Sequence, residues 1–414
     1  MNDMSWWWAG AIGGVRKRHG EHAGDASRPF QSVALVVGST VIVGTSLVDI
    51  LPLPDTPGGP WKVYAVSRRP LPPWSPPPSP AVTHLCVDLA DPAAVSAALA
   101  PLTDITHVFY VAWAPHFVEE DQNREANSRM LRNVLSAVVP NCPALVHVSV
   151  QTGSKHYIGP PESIGKFTIE TPFSEDMPRL DNCPNLYYDQ EDALFDAVSR
   201  SRRRGAAVIS WSVHRPSLVF GFSPRSAMNV VCTLCVYAAI CRKEGGRKLR
   251  WPGSLGAWEG FSNASDADLV AEQHIWAAVD PAARNEAYNY SNGDVYKWKQ
   301  LWPVLAGRFG MEWSGYEGEE SRVSLTEAMA GKEAAWAEIV REEGLVAAAE
   351  LDQVANWWFV DALFMDKWEF LDTMNKSKEH GFLGFRNTVK SFGTWIDKLR
   401  LYKIVPSCRI VSSL

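Results

Sequence analysis

A tyrosine that donates a hydrogen bond and a lysine that supplies positive charge can together stabilise an oxyanion. The segment Tyr187-Tyr188-Asp189-Gln190-Glu191 opens a stretch with helical character. Reductases built on α/β folds often place the partner lysine four residues after the tyrosine, one helical turn on. Here that position is Glu191, so the lysine must come from elsewhere or the chemistry is absent. Lys155, in Gln151-Thr-Gly-Ser-Lys155-His-Tyr157, is the candidate. It follows an apolar run that reads as a strand, and α/β sheets bind ligands beyond the carboxyl ends of their strands.

A second group of residues has the chemistry to hold phosphate. The run Val33-Ala-Leu-Val-Val37 leads into Gly38-Ser39-Thr40-Val41-Ile42-Val43-Gly44 and then an apolar helical stretch. Strand, glycine turn and helix form a cradle in which backbone N–H groups and the helix dipole face an anion. Gly38 and Gly44 hold the outer positions, whereas Val41 stands where glycine would let the backbone approach a pyrophosphate. A β-branched residue disfavours positive φ, so the turn must avoid that conformation or be strained. The next strand, 61–66, ends in Arg68 and Arg69, where an NAD enzyme usually carries an acid for the ribose 2′-hydroxyl. Two guanidinium groups suit a 2′-phosphate and therefore NADPH. Asp88 and Leu89, ending a third strand, are placed to touch an adenine ring.

The elements that position these groups read clearly. Strands are expected at 33–37, 61–66, 83–88, 107–111, 145–150 and 207–213, with helices over 92–99 and 125–139. Strands alternating with helices imply a parallel sheet with right-handed crossovers. The expected fold is an α/β, Rossmann-type doubly wound parallel sheet with a mainly helical C-terminal region that covers the substrate. Its divisions are an N-terminal extension at 1–31, a dinucleotide-binding core at 32–220 and a substrate-binding region at 221–414 with interleaved core elements. The proline-dominated segment 70–80 must be a surface loop.

The 414 residues carry a net charge of −6, which gives no electrostatic reason for a nucleic-acid partner. No run is long and apolar enough to span a bilayer, and the early tryptophans precede rather than follow their basic cluster, unlike a signal peptide. Seven widely spaced cysteines suit a reducing compartment, so a cytoplasmic location is expected. Cys232 and Cys235 sit in an apolar run and read as a buried helix face. His107, His147 and His214 lie on apolar strands and read as core histidines with satisfied partners. His156 reads as structural. Asp266 and Asp268 suit a helix cap better than a metal, and no metal-ligand cluster stands out. Trp113, Trp357 and Phe359 could equally line a pocket or pack the core.

Several blocks together carry a resemblance. They are Thr106-His-Val-Phe-Tyr-Val-Ala-Trp113, Gln151 to Gly159, Asn185-Leu-Tyr-Tyr-Asp189, Ser212-Val-His-Arg-Pro216 and Asp372 to Arg386, between Ser5 to Gly13 at one end and Ile404-Val-Pro406 at the other. The chain resembles the progesterone 5β-reductase and iridoid synthase family, an atypical branch of the extended short-chain dehydrogenases. The resemblance implies that Lys155 and Tyr187 are the catalytic pair. It implies NADPH, with contacts at Thr40 to Ile42, Arg68, Arg69, Asp88, Leu89, Ala112 and Gln151, a nicotinamide wall at Leu218 and Val219, and a contact near Ser226. It implies 1,4-reduction of activated alkenes conjugated to a carbonyl, such as steroid enones and monoterpene dialdehydes, and it admits a homodimer. Ala112 stands where threonine is usual, Ser217 where glycine is common, and Arg225 where tyrosine is common. Two other readings stay open: a non-catalytic nucleotide-binding protein of the same fold, motivated by Val41, and a conventional alcohol dehydrogenase or epimerase, disfavoured by the absent lysine at position 191.

Overall fold

The computed structural model describes residues 30–407, apart from 73, 74, 76, 115–119, 161, 162, 164, 168, 169, 204–207, 348, 349 and 366–368. The expected N-terminal extension, the Ser5 to Gly13 block and the start of the expected sixth strand at 207 therefore fall wholly or almost wholly outside the described residues.

The first half of the chain runs β1 (Ser32–Val37), α1 (Ile42–Ile50), β2 (Trp61–Ser67), β3 (Val82–Cys86), α2 (Pro92–Leu99), β4 (His107–Tyr110), α3 (Glu120–Asn141), β5 (His147–Gln151), α4 (Lys155–Ile158), α5 (Leu186–Arg203) and β6 (Ser210–Pro216). Strands β1, β2 and β4 are short, largely apolar and buried, as parallel strands covered on both faces must be, whereas the edge strand β3 is partly exposed and β6 carries polar residues. The second half runs β7 (Leu218–Phe220), α6 (Val230–Lys243), β8 (Lys248–Arg250), α7 (Leu255–Glu259), β9 (Ala264–Asp266), α8 (Ala267–Val279), β10 (Glu286–Tyr290), α9 (Trp298–Arg308), β11 (Glu312–Ser314), α10 (Leu325–Ala328), α11 (Glu333–Glu343), α12 (Trp357–Phe364), α13 (Asn375–Glu379) and α14 (Thr388–Leu401).

Seven strands form one sheet in the order β10-β6-β5-β4-β1-β2-β3, and every pairing is parallel. This is the strand order of a dinucleotide-binding sheet extended by one strand, β10. The order reverses between β1 and β4, which opens a crevice at their carboxyl ends. On one face α1 and α8 bury Val43, Leu47, Leu269 and Trp276 against the sheet. On the other, α2, α3 and α5 bury Val95, Leu131, Val134 and Leu194. The remaining helices enclose a separate core of Trp251, Trp298, Trp302, Trp336 and their neighbours.

Several sequence expectations land where read. The helix expected over 92–99 is α2, with Pro92 in its first turn; Asp91 caps it, accepting from the Ala93 and Ala94 N–H groups. Cys232 and Cys235 are buried on α6 as free thiols. Asp266 caps α8 and also accepts from Ser391 Oγ and Trp395 Nε1. The strand histidines are buried and partnered: His147 between Ser210 and Ser212 (2.9 and 2.9 Å), His214 on Gln273 (2.8 Å), and His107 on Thr106 (2.8 Å). Other boundaries shift. Helix α3 starts at Glu120 rather than at 125, and β6 runs on to Pro216 because β10 pairs with it through Tyr290. Strand β10, Glu-Ala-Tyr-Asn-Tyr, lacks an apolar run because its buried Asn289 answers Glu175 and Phe173 instead of packing on side chains.

Candidate active site

The turn after β1 shows which of its residues must be glycine. Gly38 has φ +94°, and a Cβ there would lie 2.7 Å from the Ala112 backbone. A Cβ on Gly44 would lie 2.0 Å from the Gly38 carbonyl oxygen, so Gly44 lets the helix close against the turn. Gly44 is not among the residues lining the cavity and supports the turn from behind. Val41 has φ −81° and ψ 171°, ordinary extended backbone, so the turn avoids the strain that valine would bring at positive φ. Val41 precedes the first residue of α1, and no side chain caps the helix. The leading N–H groups of α1 therefore remain available to an anion.

A cavity of about 1030 Å³ extends from this turn across the sheet's carboxyl edge. Every expected cofactor residue other than Gly44 lines it: Gly38, Thr40, Val41, Ile42, Arg68, Arg69, Asp88, Leu89, Ala112, Gln151, Leu218, Val219 and Ser226, together with Lys155 and Tyr187. Arg68 and Arg69 are exposed at the end of β2, free of burial against the core. Ser39 Oγ and Gln151 Oε1 are buried at the cavity wall without a hydrogen-bond partner. An uncapped helix start, a glycine cradle, two exposed arginines and these orphan polar atoms together fit a phosphorylated dinucleotide.

Lys155 opens the short helix α4 directly after β5, and Tyr187 is the second residue of α5. One side chain joins them. Asn185 is 3% exposed. Its Nδ2 donates to the Lys155 carbonyl at 2.7 Å, and its Oδ1 accepts from the Tyr187 N–H at 2.9 Å. It caps α5 and fixes α4 to it in one step. Glu120 supports the same corner, accepting from the Leu186 N–H at 3.2 Å. Gly153 completes it, because a Cβ there would lie 3.1 Å from the Tyr187 hydroxyl and 3.3 Å from the Pro216 carbonyl oxygen. Burial raises the Tyr187 phenol above its ordinary range and Glu120 adds to the effect, so at neutral pH the phenol is a proton-bearing donor.

Glu191, standing where the partner lysine is often found, is buried and holds Arg215 at 3.0 Å and Arg179 at 2.9 Å. His156 Nδ1 lies 3.3 Å from the same carboxylate, outside hydrogen-bond alignment. Burial would raise Glu191, but His156 and the two guanidinium groups hold it at about 2. Burial keeps His156 below its ordinary value, consistent with a structural role. Arg215 Nη1 also reaches the Tyr157 hydroxyl at 3.1 Å. Position 191 thus anchors the fold behind Lys155 instead of supplying a second amine. Glu120, Arg179 and Arg215 were given no role in the sequence, and Asn185 and Gly153 entered only inside blocks of resemblance; the local signal for Asn185 was its place one residue before a helix.

The rest of the cavity is aromatic. Trp113 and Phe359 line it, while Trp357 packs on the helical core and its neighbour Trp358 lines the cavity in its place. Phe173 and Phe370 stack at 6.4 Å and close one wall. Among the described residues no helix is long and apolar enough to cross a membrane.

Fold and site together define a Rossmann-type α/β protein whose cavity joins a dinucleotide cradle to an aromatic pocket bearing a lysine and a tyrosine. Solved structures agree on the fold. An RMD structure from Pseudomonas aeruginosa complexed with NADPH matches with a TM-score of 0.57 at 14% identity, covering 89% of this chain and 97% of that one. The UDP-glucose 4-epimerase of Thermotoga maritima matches with a TM-score of 0.57 at 13% identity, covering 89% and 99%. Sequence comparison is more specific. Residues 34–406 match the PRISE-like Rossmann-fold domain, and the chain belongs to that family. It is 54% identical to the (S)-8-oxocitronellyl enol synthase of Nepeta cataria over 403 residues, 97% of this chain and 100% of that one. It is 52% identical to the 3-oxo-Delta(4,5)-steroid 5-beta-reductase of Arabidopsis thaliana over 403 residues, with the same coverage.

Proposed function

We propose that this protein is an NADPH-dependent reductase that saturates the C=C bond of α,β-unsaturated carbonyl compounds, with Lys155 and Tyr187 as its catalytic pair. The observation that carries the reading is the Asn185 bridge, which locks Lys155 and Tyr187 to one corner of the cavity that also contains the phosphate cradle. The names of the relatives point the same way: one is a steroid 5-beta-reductase and another an enol synthase.

NADPH, when bound, supplies a hydride to the β-carbon of the enone. Gly38 and the free N–H groups at the start of α1 would hold its diphosphate, Arg68 and Arg69 its 2′-phosphate, and Asp88 and Leu89 would border the adenine. Ala112, Gln151, Leu218, Val219 and Ser226 would border the nicotinamide half. As negative charge moves onto the carbonyl oxygen, the Tyr187 phenol donates a hydrogen bond to it. A donor of this kind lowers the barrier by about 3–4 kcal/mol. Lys155 keeps the corner electropositive, and the α-carbon takes its proton from solvent. The aromatic wall of Phe173, Trp113 and Phe359 receives the apolar skeleton of the substrate. The cysteines of the described residues are all free thiols, which fits a reducing compartment, and we place the enzyme in the cytoplasm.

Fluorescence titration with NADPH and NADH, followed by turnover of a panel of small enones, tests this reading. The expected result is NADPH binding at least about 100-fold tighter than NADH and turnover that drops on Lys155→Met and Tyr187→Phe. No binding at millimolar NADPH, or bound NADPH with every enone left unreduced, overturns it.

A further inference from the structure

The aromatic part of the cavity contains a polar pair that the reaction does not use. Asn263 lines the cavity and is 4% exposed. Its Nδ2 donates to Asp372 Oδ1 at 2.9 Å, and Asp372 lines the cavity as well. An ionised carboxylate only accepts, so it pins the amide with the nitrogen turned toward it and the oxygen turned away. Asn263 Oδ1 is then buried with no hydrogen-bond partner.

The pair is held rigidly. Asp372 forms a bridge with Phe173, in which the Phe173 N–H donates to the Leu371 carbonyl at 2.7 Å and the Thr373 N–H to the Phe173 carbonyl at 2.9 Å. Asn263 stands one residue before β9, whose Ala264 pairs with Leu218 of β7. That register sets Asn263 alongside the Ser217 segment, next to Pro216, whose carbonyl oxygen faces Gly153 as the Tyr187 hydroxyl also does. An orphan acceptor among aromatic side chains is costly, and such groups are normally answered by a partner. Neither a bare hydrocarbon nor a second carbonyl answers it, because both lack a donor. A hydroxyl does.

We propose that the substrate carries a hydroxyl group remote from its conjugated carbonyl, and that Asn263, oriented by Asp372, accepts the hydrogen bond from that hydroxyl. The subsite deepens the enone-reductase reading and rests on it for the carbonyl end alone. Sites built to hydrogen-bond a substrate group discriminate strongly against analogues that lack it. Selection therefore acts against the deoxy analogue as well as for the hydroxylated compound.

The test uses the full chain with NADPH at pH 8, above the value of about 7 to which burial raises the Asp372 carboxyl. Pairs of cyclic enones with the same skeleton, with and without a remote hydroxyl, are compared by kcat/KM and by Kd from tryptophan quenching. The expected result is at least one pair for which the wild-type protein prefers the hydroxylated member by about 30-fold or more, a preference that falls below about 3-fold in Asn263→Leu. Equal handling of every pair by the wild-type protein overturns the proposal, as does a preference that survives intact in the variant. Should Asn263→Leu not fold, the wild-type ratios and their loss in Asn263→Ala decide in the same way. Asn263-dependent binding of the hydroxylated member without reduction of any enone would leave the subsite standing and sink the reductase reading instead.

Discussion

Replacing Asn185 should separate positioning from chemistry. Its two hydrogen bonds, 2.7 Å to the Lys155 carbonyl and 2.9 Å from the Tyr187 N–H, are both made inside the protein. Asn185→Ala removes a helix cap, worth about 1 kcal/mol. It also removes one of the two hydrogen bonds to the Lys155 carbonyl, which keeps the Gly159 N–H at 2.9 Å, at about 0.5–1.5 kcal/mol. The expected loss of stability is about 1.5–2.5 kcal/mol, read from urea unfolding. The larger effect falls on rate. With α4 and α5 no longer tied, Tyr187 and Lys155 drift relative to the carbonyl they serve, and misplacement approaching 1 Å costs up to about 100-fold. We expect kcat for enone reduction to fall about 10–100-fold while Kd for NADPH moves less than about 3-fold, because the phosphate cradle does not touch Asn185. Asn185→Asp keeps the cap acceptor but turns an oxygen toward the Lys155 carbonyl, so it should keep most of the stability and still lose rate. Wild-type kcat in a folded Asn185→Ala protein would refute the positioning argument.

Four further outcomes follow from particular contacts. Arg68→Ala and Arg69→Ala should each weaken NADPH binding about 10–100-fold and leave NADH binding nearly unchanged, since only a 2′-phosphate needs the guanidinium groups; parallel losses for both cofactors would contradict their assignment. Gly153→Ala should slow turnover about 10-fold without altering NADPH affinity, because the added methyl would lie 3.1 Å from the Tyr187 hydroxyl and must displace it; an unchanged rate would show that the phenol yields freely. Val41→Gly should shift Kd for NADPH by less than about 3-fold, given φ −81° at Val41; a large gain in affinity would revive the non-catalytic reading. Burial holds His274 well below its ordinary pKa in the fold, whereas in the unfolded chain it takes a proton below about 6.5. Its contribution is thus complete above that pH and lost below it, so the stability deficit of His274→Asn at pH 7.5 should shrink by about 1.4 kcal/mol per pH unit between 6.5 and 5, and a deficit that widens on acidification would reverse the sign.

The sheet was legible because parallel strands buried on both faces must read as apolar runs, and β1, β2, β4 and β5 do so. The cradle was legible because positive φ and close backbone approach both demand glycine, and Gly38 meets both demands. Position 41 was harder: the pattern marks it as a glycine site, but only the backbone angles show that valine fits. Lys155 and Tyr187 could be named as chemically suited residues, yet their joining through Asn185 spans 30 positions and is a tertiary fact. The same holds for Glu191, whose pairing with Arg215 crosses from a helix to a strand 24 residues away. The choice between Trp357 and Trp358 as the wall residue turns on helix phase at the start of α12, which one residue of error inverts. Strand β10 escaped because polar partners satisfy its buried Asn289, so its sequence never looks like a core strand.

The most direct test of the central claim follows a deuteride. The protein is incubated with NADPH deuterated at the transferring position and a cyclic enone, and the product is read by NMR, with Tyr187→Phe alongside. We predict a saturated ketone carrying one deuterium at the β-carbon, formed about 100-fold or more slowly by the variant at unchanged cofactor affinity. Deuterium on the carbonyl carbon of an allylic alcohol, or equal rates from wild type and Tyr187→Phe, would contradict it.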